Sequence, residues 1–132
     1  MKSRLFVPMI LAMLMFGATA FAHHSFAGSY VEDKSVTIEG KVVQFDIRNP
    51  HSFLNIEVVG KDGKVLRWGG EWGGVTQLSE GGVQKFTLKV GDKVRIEGAP
   101  SRDAEEHKVL IRKVVKPATA TSEEFSWGGT VR

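Results

Sequence analysis

Residues 36 to 69 carry a nearly continuous series of period-two apolar patterns punctuated by glycine, and this limits the chain to β structure. In residues 36 to 47, VTIEGKVVQFDI, Val36, Ile38 and Val42 share one face; the phase then changes to Val43, Phe45 and Ile47, with Gly40 marking a bulge or bend. Residues 53 to 59 set Leu54, Ile56 and Val58 against Asn55 and Glu57. The following GKDGK contains Asp62-Gly63, which predicts a type I′ hairpin, and the return strand covers 64 to 69 with Leu66 and Trp68 on one face.

Beyond that strand, GGEWGG (69 to 74) loosens the pattern into a glycine-rich loop, VTQLSE (75 to 80) is a short helix, and Gly81-Gly82 ends it. A Gly91-Asp92 turn leads into a fourth strand with Val94 and Ile96 inward. Residues 107 to 115 form the fifth, with Val109 and Ile111 opposed to Leu110 and Arg112. The expected fold is all-β: a small five-stranded Greek-key barrel of the oligonucleotide/oligosaccharide-binding (OB) type with one short helix, an SH3-like barrel or β-sandwich being the alternatives. The helix between strands three and four matches the OB order. The domain occupies 36 to 117, behind an N-terminal arm (23 to 35) and ahead of a C-terminal tail (118 to 132) from which Phe125 and Trp127 can dock on the barrel.

The first 22 residues read differently. Lys2 and Arg4 precede the apolar run Leu5 to Phe16, and Ala18, Ala20 and Ala22 supply small residues for a peptidase, the pattern of a cleaved secretory signal peptide. The twelve-residue run falls short of the roughly 20 needed to span a bilayer, so a periplasmic or secreted protein without stable membrane insertion is expected. Removal of 1 to 22 leaves 110 residues, one small domain, with 16 basic and 15 acidic residues. That balance argues against a nucleic-acid partner. The chain contains no cysteine, so any metal site must use nitrogen and oxygen.

Cleavage after Ala22 makes His23 the free amino terminus, with His24 beside it; cleavage after Ala20 leaves Phe21-Ala22-His23. In RNPHSF (48 to 53), Pro50 places His51 at a turn on the barrel rim. If the processed terminus lies over that rim, its amine and the rings of His23 and His51 form the three-nitrogen set called a histidine brace. Such a set suits Cu(II), with zinc the second choice. The alternative cut also suits Cu(II), through an amine, two amides and a third-position imidazole. The metal candidates are therefore His23, His24 and His51; His107, beside Glu105 and Glu106, reads as a solvated loop end.

Two readings of the other aromatic and polar residues stand beside this one. Trp68, Glu71, Trp72 and Asn49 are candidates for a metal-free ligand or protein site on a tryptophan-lined barrel face. Alternatively, one tryptophan plugs the barrel and the other shields the glycine-rich loop, and Glu71 orients a histidine ligand by accepting a ring N–H. The chain lacks a G-x-S-x-G elbow, a P-loop, an H-E-x-x-H and a Rossmann glycine pattern, so no enzyme is expected. The partners expected are a metal ion or small ligand, or a periplasmic protein.

Taken in series, AHHSF (22 to 26), GKVVQFDIRNPHSFLNIEV (40 to 58), WGGEW (68 to 72) and LKVGDKVRIEGAPSRD (88 to 103) resemble a family of exported bacterial proteins, domain of unknown function 6152. The shared pattern falls on His23, His24, Phe26, Asn49, Pro50, His51, Trp68, Glu71, Gly91 and Asp92. The resemblance implies a periplasmic OB-like barrel and no assigned activity. One departure is that DAEEHK (103 to 108) lacks the glycine turn expected before the last strand.

Overall fold

A computed structural model describes residues 26–131; the signal peptide expected at 1 to 22 and the candidates His23 and His24 lie outside the described residues. The strands are β1 (Val36–Asp46), β2 (Ser52–Val59), β3 (Val65–Trp72), β4 (Lys93–Pro100), β5 (Lys108–Lys116) and β6 (Phe125–Gly128), with a helix α1 (Val75–Glu80) between β3 and β4. The sheet runs β3-β2-β1-β4-β5-β6 and closes on itself through a β3–β5 pairing. Five strands thus form a barrel in the order 1-2-3-5-4, the OB arrangement with its helix in the expected place.

β1 serves two partners, which explains its split pattern. Its first half pairs with β4 and its second with β2, Lys41 pairing with both, and a register irregularity between Val42 and Gln44 accommodates the change of phase. The bulge therefore sits at Val43, three residues after Gly40. Inward residues from every barrel strand except β3's outer half meet in one core: Ile38, Val42, Leu54, Ile56, Trp72, Val94, Ile96, Val109, Ile111 and Val114 are all buried. Leu110, expected on the outer face of β5, is buried too, on the opposite side from Val109 and Ile111.

The β2–β3 connection differs from the expected type I′ turn. Among the described non-glycine residues only His107 has positive φ, so Asp62 does not adopt the conformation that turn requires at its first central position. The N–H of Gly63 donates to Gly60 O at 3.0 Å, that of Gly60 donates to Lys64 O at 2.8 Å, and Gly63 has φ 79°. Three residues rather than two separate the paired ends, which calls for a tight turn followed by one left-handed residue.

The larger correction concerns 69 to 74. Gly69 to Trp72 are not loop but the second half of β3: they pair with β2, and Gly69, Gly70 and Glu71 also pair in parallel with Lys108, Val109 and Leu110. Gly70 makes this closure possible, because a β-carbon there would lie 2.6 Å from Ile111 Cδ1 and 3.1 Å from Leu54 O. Glycine, which seemed to loosen the strand, lets a third strand come close to it.

The tail also contributes more than docking contacts. Phe125–Gly128 adds a sixth strand to β5, and Trp127 packs edge-on against Trp72 with ring centroids 5.1 Å apart. The missing glycine before β5 is replaced by a short 3-10 turn, Ala104–Glu106, capped by Asp103, after which His107 itself takes the left-handed conformation.

Replacing Gly70 with alanine should cost about 1–3 kcal/mol by overpacking the closure, and thermal unfolding should show it as a Tm lowered by roughly 4–8 °C for each kcal/mol. Gly28→Ala, where a β-carbon meets nothing within 4 Å, serves as the control and should change Tm little. Equal Tm values for the two variants would contradict the close β3–β5 approach.

Candidate functional site

Glu71 stands at the end of the closing strand, on the face opposite Gly70 and Trp72. Its carboxylate is shared by two side chains from elsewhere in the sequence. The Tyr30 hydroxyl donates to Oε2 at 2.6 Å. Nδ1 of His51 lies 2.8 Å from Oε1. Two unprotonated acceptors at that separation would repel, so Nδ1 carries a proton. The ring is thereby oriented, and in the neutral imidazole the lone pair lies on Nε2, for which no partner is found among the described residues. The His51 side chain keeps 22% of its surface exposed, so this nitrogen belongs to a rim group that solutes can approach.

His51 is held from behind by its own loop. Arg48 N donates to Ser52 Oγ at 3.2 Å and the same hydroxyl donates back to Arg48 O at 3.3 Å, although Ser52 is fully buried. Asn49 Oδ1 accepts from Val75 N at 3.0 Å, joining the loop to the start of α1. Gly74 makes room for this contact, since a β-carbon there would lie 2.6 Å from Pro50 O. The Asn-Pro-His turn is thus pinned on both sides of the imidazole. Asn49, a candidate ligand contact by sequence, uses its side-chain oxygen to hold the loop to the helix.

The arm preceding β1 supplies the second wall. Residues 26 to 29 form a helical turn, in which Tyr30 N donates to Phe26 O at 2.7 Å. This places Phe26 and Tyr30 on the same side of the chain. Arm and barrel are tied by Val31 N to Pro100 O at 2.9 Å, Arg102 N to Ser29 O at 2.9 Å, and Arg102 Nε to Ala27 O at 2.7 Å. Both aromatic rings are buried, and Phe26 packs on the His51 ring with centroids 4.9 Å apart. Burial, and then the hydrogen bond to Glu71, push the Tyr30 pKa well above its ordinary 10.0. The phenol is a fixed proton donor, and one lobe of the Glu71 carboxylate is committed to it.

The sequence candidates divide accordingly. His51 and Glu71 come together. Trp72 does not join them: it is fully buried and packs on Phe45 as well as Trp127. The expectation of a tryptophan-lined outer face around Glu71 is therefore corrected, because the alternation of a strand puts Trp68, Gly70 and Trp72 on the inward side and Glu71 on the other. Trp68 is only partly buried but leans on the core and on the His107 ring, 5.2 Å away. Tyr30 and Ser52 were not among the candidates. The i, i+4 spacing of Phe26 and Tyr30 was the available signal for the first, and Ser52 offered none beyond adjacency to His51.

The fold and this rim define a small closed β-barrel of the OB type carrying a carboxylate-oriented histidine. The model of a family of unknown function, DUF6152, matches residues 12–110, three quarters of the chain, and the chain belongs to that family. No curated protein matches it.

The chain has a single tyrosine, so tyrosinate absorbance reports Tyr30 alone. A raised folded-state pKa contributes stability that is fully present below the unfolded value near 10 and is lost as pH rises beyond it. The folded protein should therefore show no tyrosinate up to its alkaline unfolding transition. Ionisation near pH 10 with the near-UV circular dichroism still native would mean that Tyr30 is neither buried nor paired to Glu71.

Proposed function

We propose that this is an exported periplasmic protein that binds a metal ion, Cu(II) in preference to Zn(II), at the rim formed by His51 and the first residues of the processed chain. The observation that carries the reading is the Tyr30–Glu71–His51 arrangement. A carboxylate that holds one imidazole nitrogen while the other faces outward is the device that orients histidine ligands in metal sites. Such a device adds little to a histidine that only caps a turn.

The donor set fits the proposal in two respects. Among the described residues no three His, Asp or Glu side chains converge, so His51 is the one described ligand and the remaining donors are those of residues 23 and 24. Phe26 lies against the His51 ring, and three residues of chain can span at most about 11 Å, a length sufficient for the His23 amine and ring to share an ion with Nε2. Amine and imidazole nitrogens are borderline donors, and the divalent affinity order peaks at Cu(II). With the thiol absent, this is the set that favours copper most. Nothing in the arrangement calls for a catalytic step, and the proposal is one of binding.

Protein that begins at His23 should take up one Cu(II) with a nitrogen-rich EPR signature. Glu71→Gln should weaken uptake about 10–100-fold, the usual effect of losing a partner that orients a ligand. His51→Ala should remove the tight site, as should one added residue ahead of His23. Unchanged affinity in His51→Ala would overturn the reading, whatever the N-terminal extension does.

A further inference from the structure

We propose that residues 84 to 93 (QKFTLKVGDK), the loop between α1 and β4 together with the first residue of β4, form a docking surface for an anionic lipid bilayer. It involves neither His51 nor Glu71 and stands apart from the metal reading.

The loop consists of two consecutive tight turns. In the first, Thr87 N donates to Gln84 O at 3.0 Å and Gln84 N to Thr87 Oγ1 at 2.8 Å. In the second, Asp92 N donates to Lys89 O at 3.0 Å and Lys89 N to Asp92 Oδ2 at 2.9 Å. Val83 and Leu88, each 2% exposed, anchor the turns in the core. Further bonds fix the turns from outside the loop: Lys116 Nζ to Thr87 O at 3.2 Å, Gly91 N to Val42 O at 2.8 Å, and Val42 N to Asp92 O at 2.8 Å. The side chains on the turns cannot withdraw by a shift of the backbone.

The residues held out on these turns are Phe86 and Val90, each 74% exposed and the most exposed large apolar side chains among the described residues. Turn positions normally take Gly, Pro, Asn, Asp or Ser. Each apolar residue directly follows a lysine, Lys85 and Lys89, and Lys93 ends the segment. Lys85 Nζ lies 5.8 Å from the Phe86 ring centre, near enough for the ammonium and the ring to meet one surface together. The single acid of the loop, Asp92, is occupied by Lys89 N and by Lys116 Nζ at 3.7 Å, so the three loop lysines face no free carboxylate of their own loop.

Two projecting apolar groups, each beside a cation, match a surface with negative charge in the plane and hydrocarbon beneath it. Aromatic rings settle at the headgroup level, lysine stems lie along apolar surface with their ammonium in water, and polybasic segments gain from anionic lipid. A second copy of the chain fits less well, since two side chains fall far short of the roughly 800 Å² per partner that a stable interface buries.

Vesicle co-sedimentation of the full exported protein, in chelator, tests the proposal. The protein should pellet with vesicles of phosphatidylcholine and phosphatidylglycerol in equal parts and not with phosphatidylcholine alone. Phe86→Ser combined with Val90→Ser should lower partitioning at least about tenfold. Lys85→Gln and Lys89→Gln should each lower it about fivefold. Unchanged Tm in these exposed-site variants confirms that the fold is intact. Failure to pellet with the anionic vesicles would overturn the proposal, and so would full binding by the double serine variant. A concentration-dependent dimer that the serine variant abolishes would assign the loop to a second copy and overturn it as well.

Discussion

The three-residue parallel pairing between β3 and β5 is the contact on which the rest of this molecule depends. Without it, β1, β2 and β3 would form a meander with an open edge, and an open edge is where sheets pair wrongly. With it, the barrel closes and Glu71 is carried to the rim. The closure relies on Gly70, where a β-carbon would crowd Ile111 of β5 and Leu54 O of β2. Packing and site are therefore one feature: the glycine that admits β5 directly precedes the carboxylate of Glu71.

From that carboxylate outward, three segments distant in sequence become a unit. Tyr30 comes from the arm, His51 from the β1–β2 turn and Glu71 from the end of β3. Each segment is fixed independently of the others, by backbone bonds from the arm to the end of β4 and to Arg102 just beyond it, by the Ser52 clasp, and by the β-ladder. A side chain held this way loses little further freedom when it binds something, and binding is stronger when the ordering cost has already been met during folding. The sidedness of the imidazole is the functional content of the arrangement: one nitrogen is held by Glu71, and the other has no partner among the described residues of a side chain that stays part exposed.

Much of this was legible in the sequence. The alternation in 36 to 69 marks the strands, the position of α1 selects the OB order, and Pro50 places His51 at a rim turn. What was hidden depends on pairings between distant segments. GGEWGG reads as loop because glycine disfavours an isolated strand, and only the presence of β5 shows why the glycines are needed. For the same reason the sequence leaves open which tryptophan fills the barrel: period two puts Trp72 inward only once Gly69 to Trp72 are recognised as strand. Asp62-Gly63 points to a two-residue turn, but the count of residues between Gly60 and Lys64 decides the geometry. The spacing of Phe26 and Tyr30 hints at a shared face, but the bond from Tyr30 to Glu71 is not legible because the two lie 41 positions apart.

The edge-on contact of Trp127 with Trp72 makes the last strand, β6, part of the core rather than an addition to it. Trp127 lies outside the five barrel strands yet packs on Trp72, a fully buried side chain, so loss of β6 alone would uncover the barrel interior.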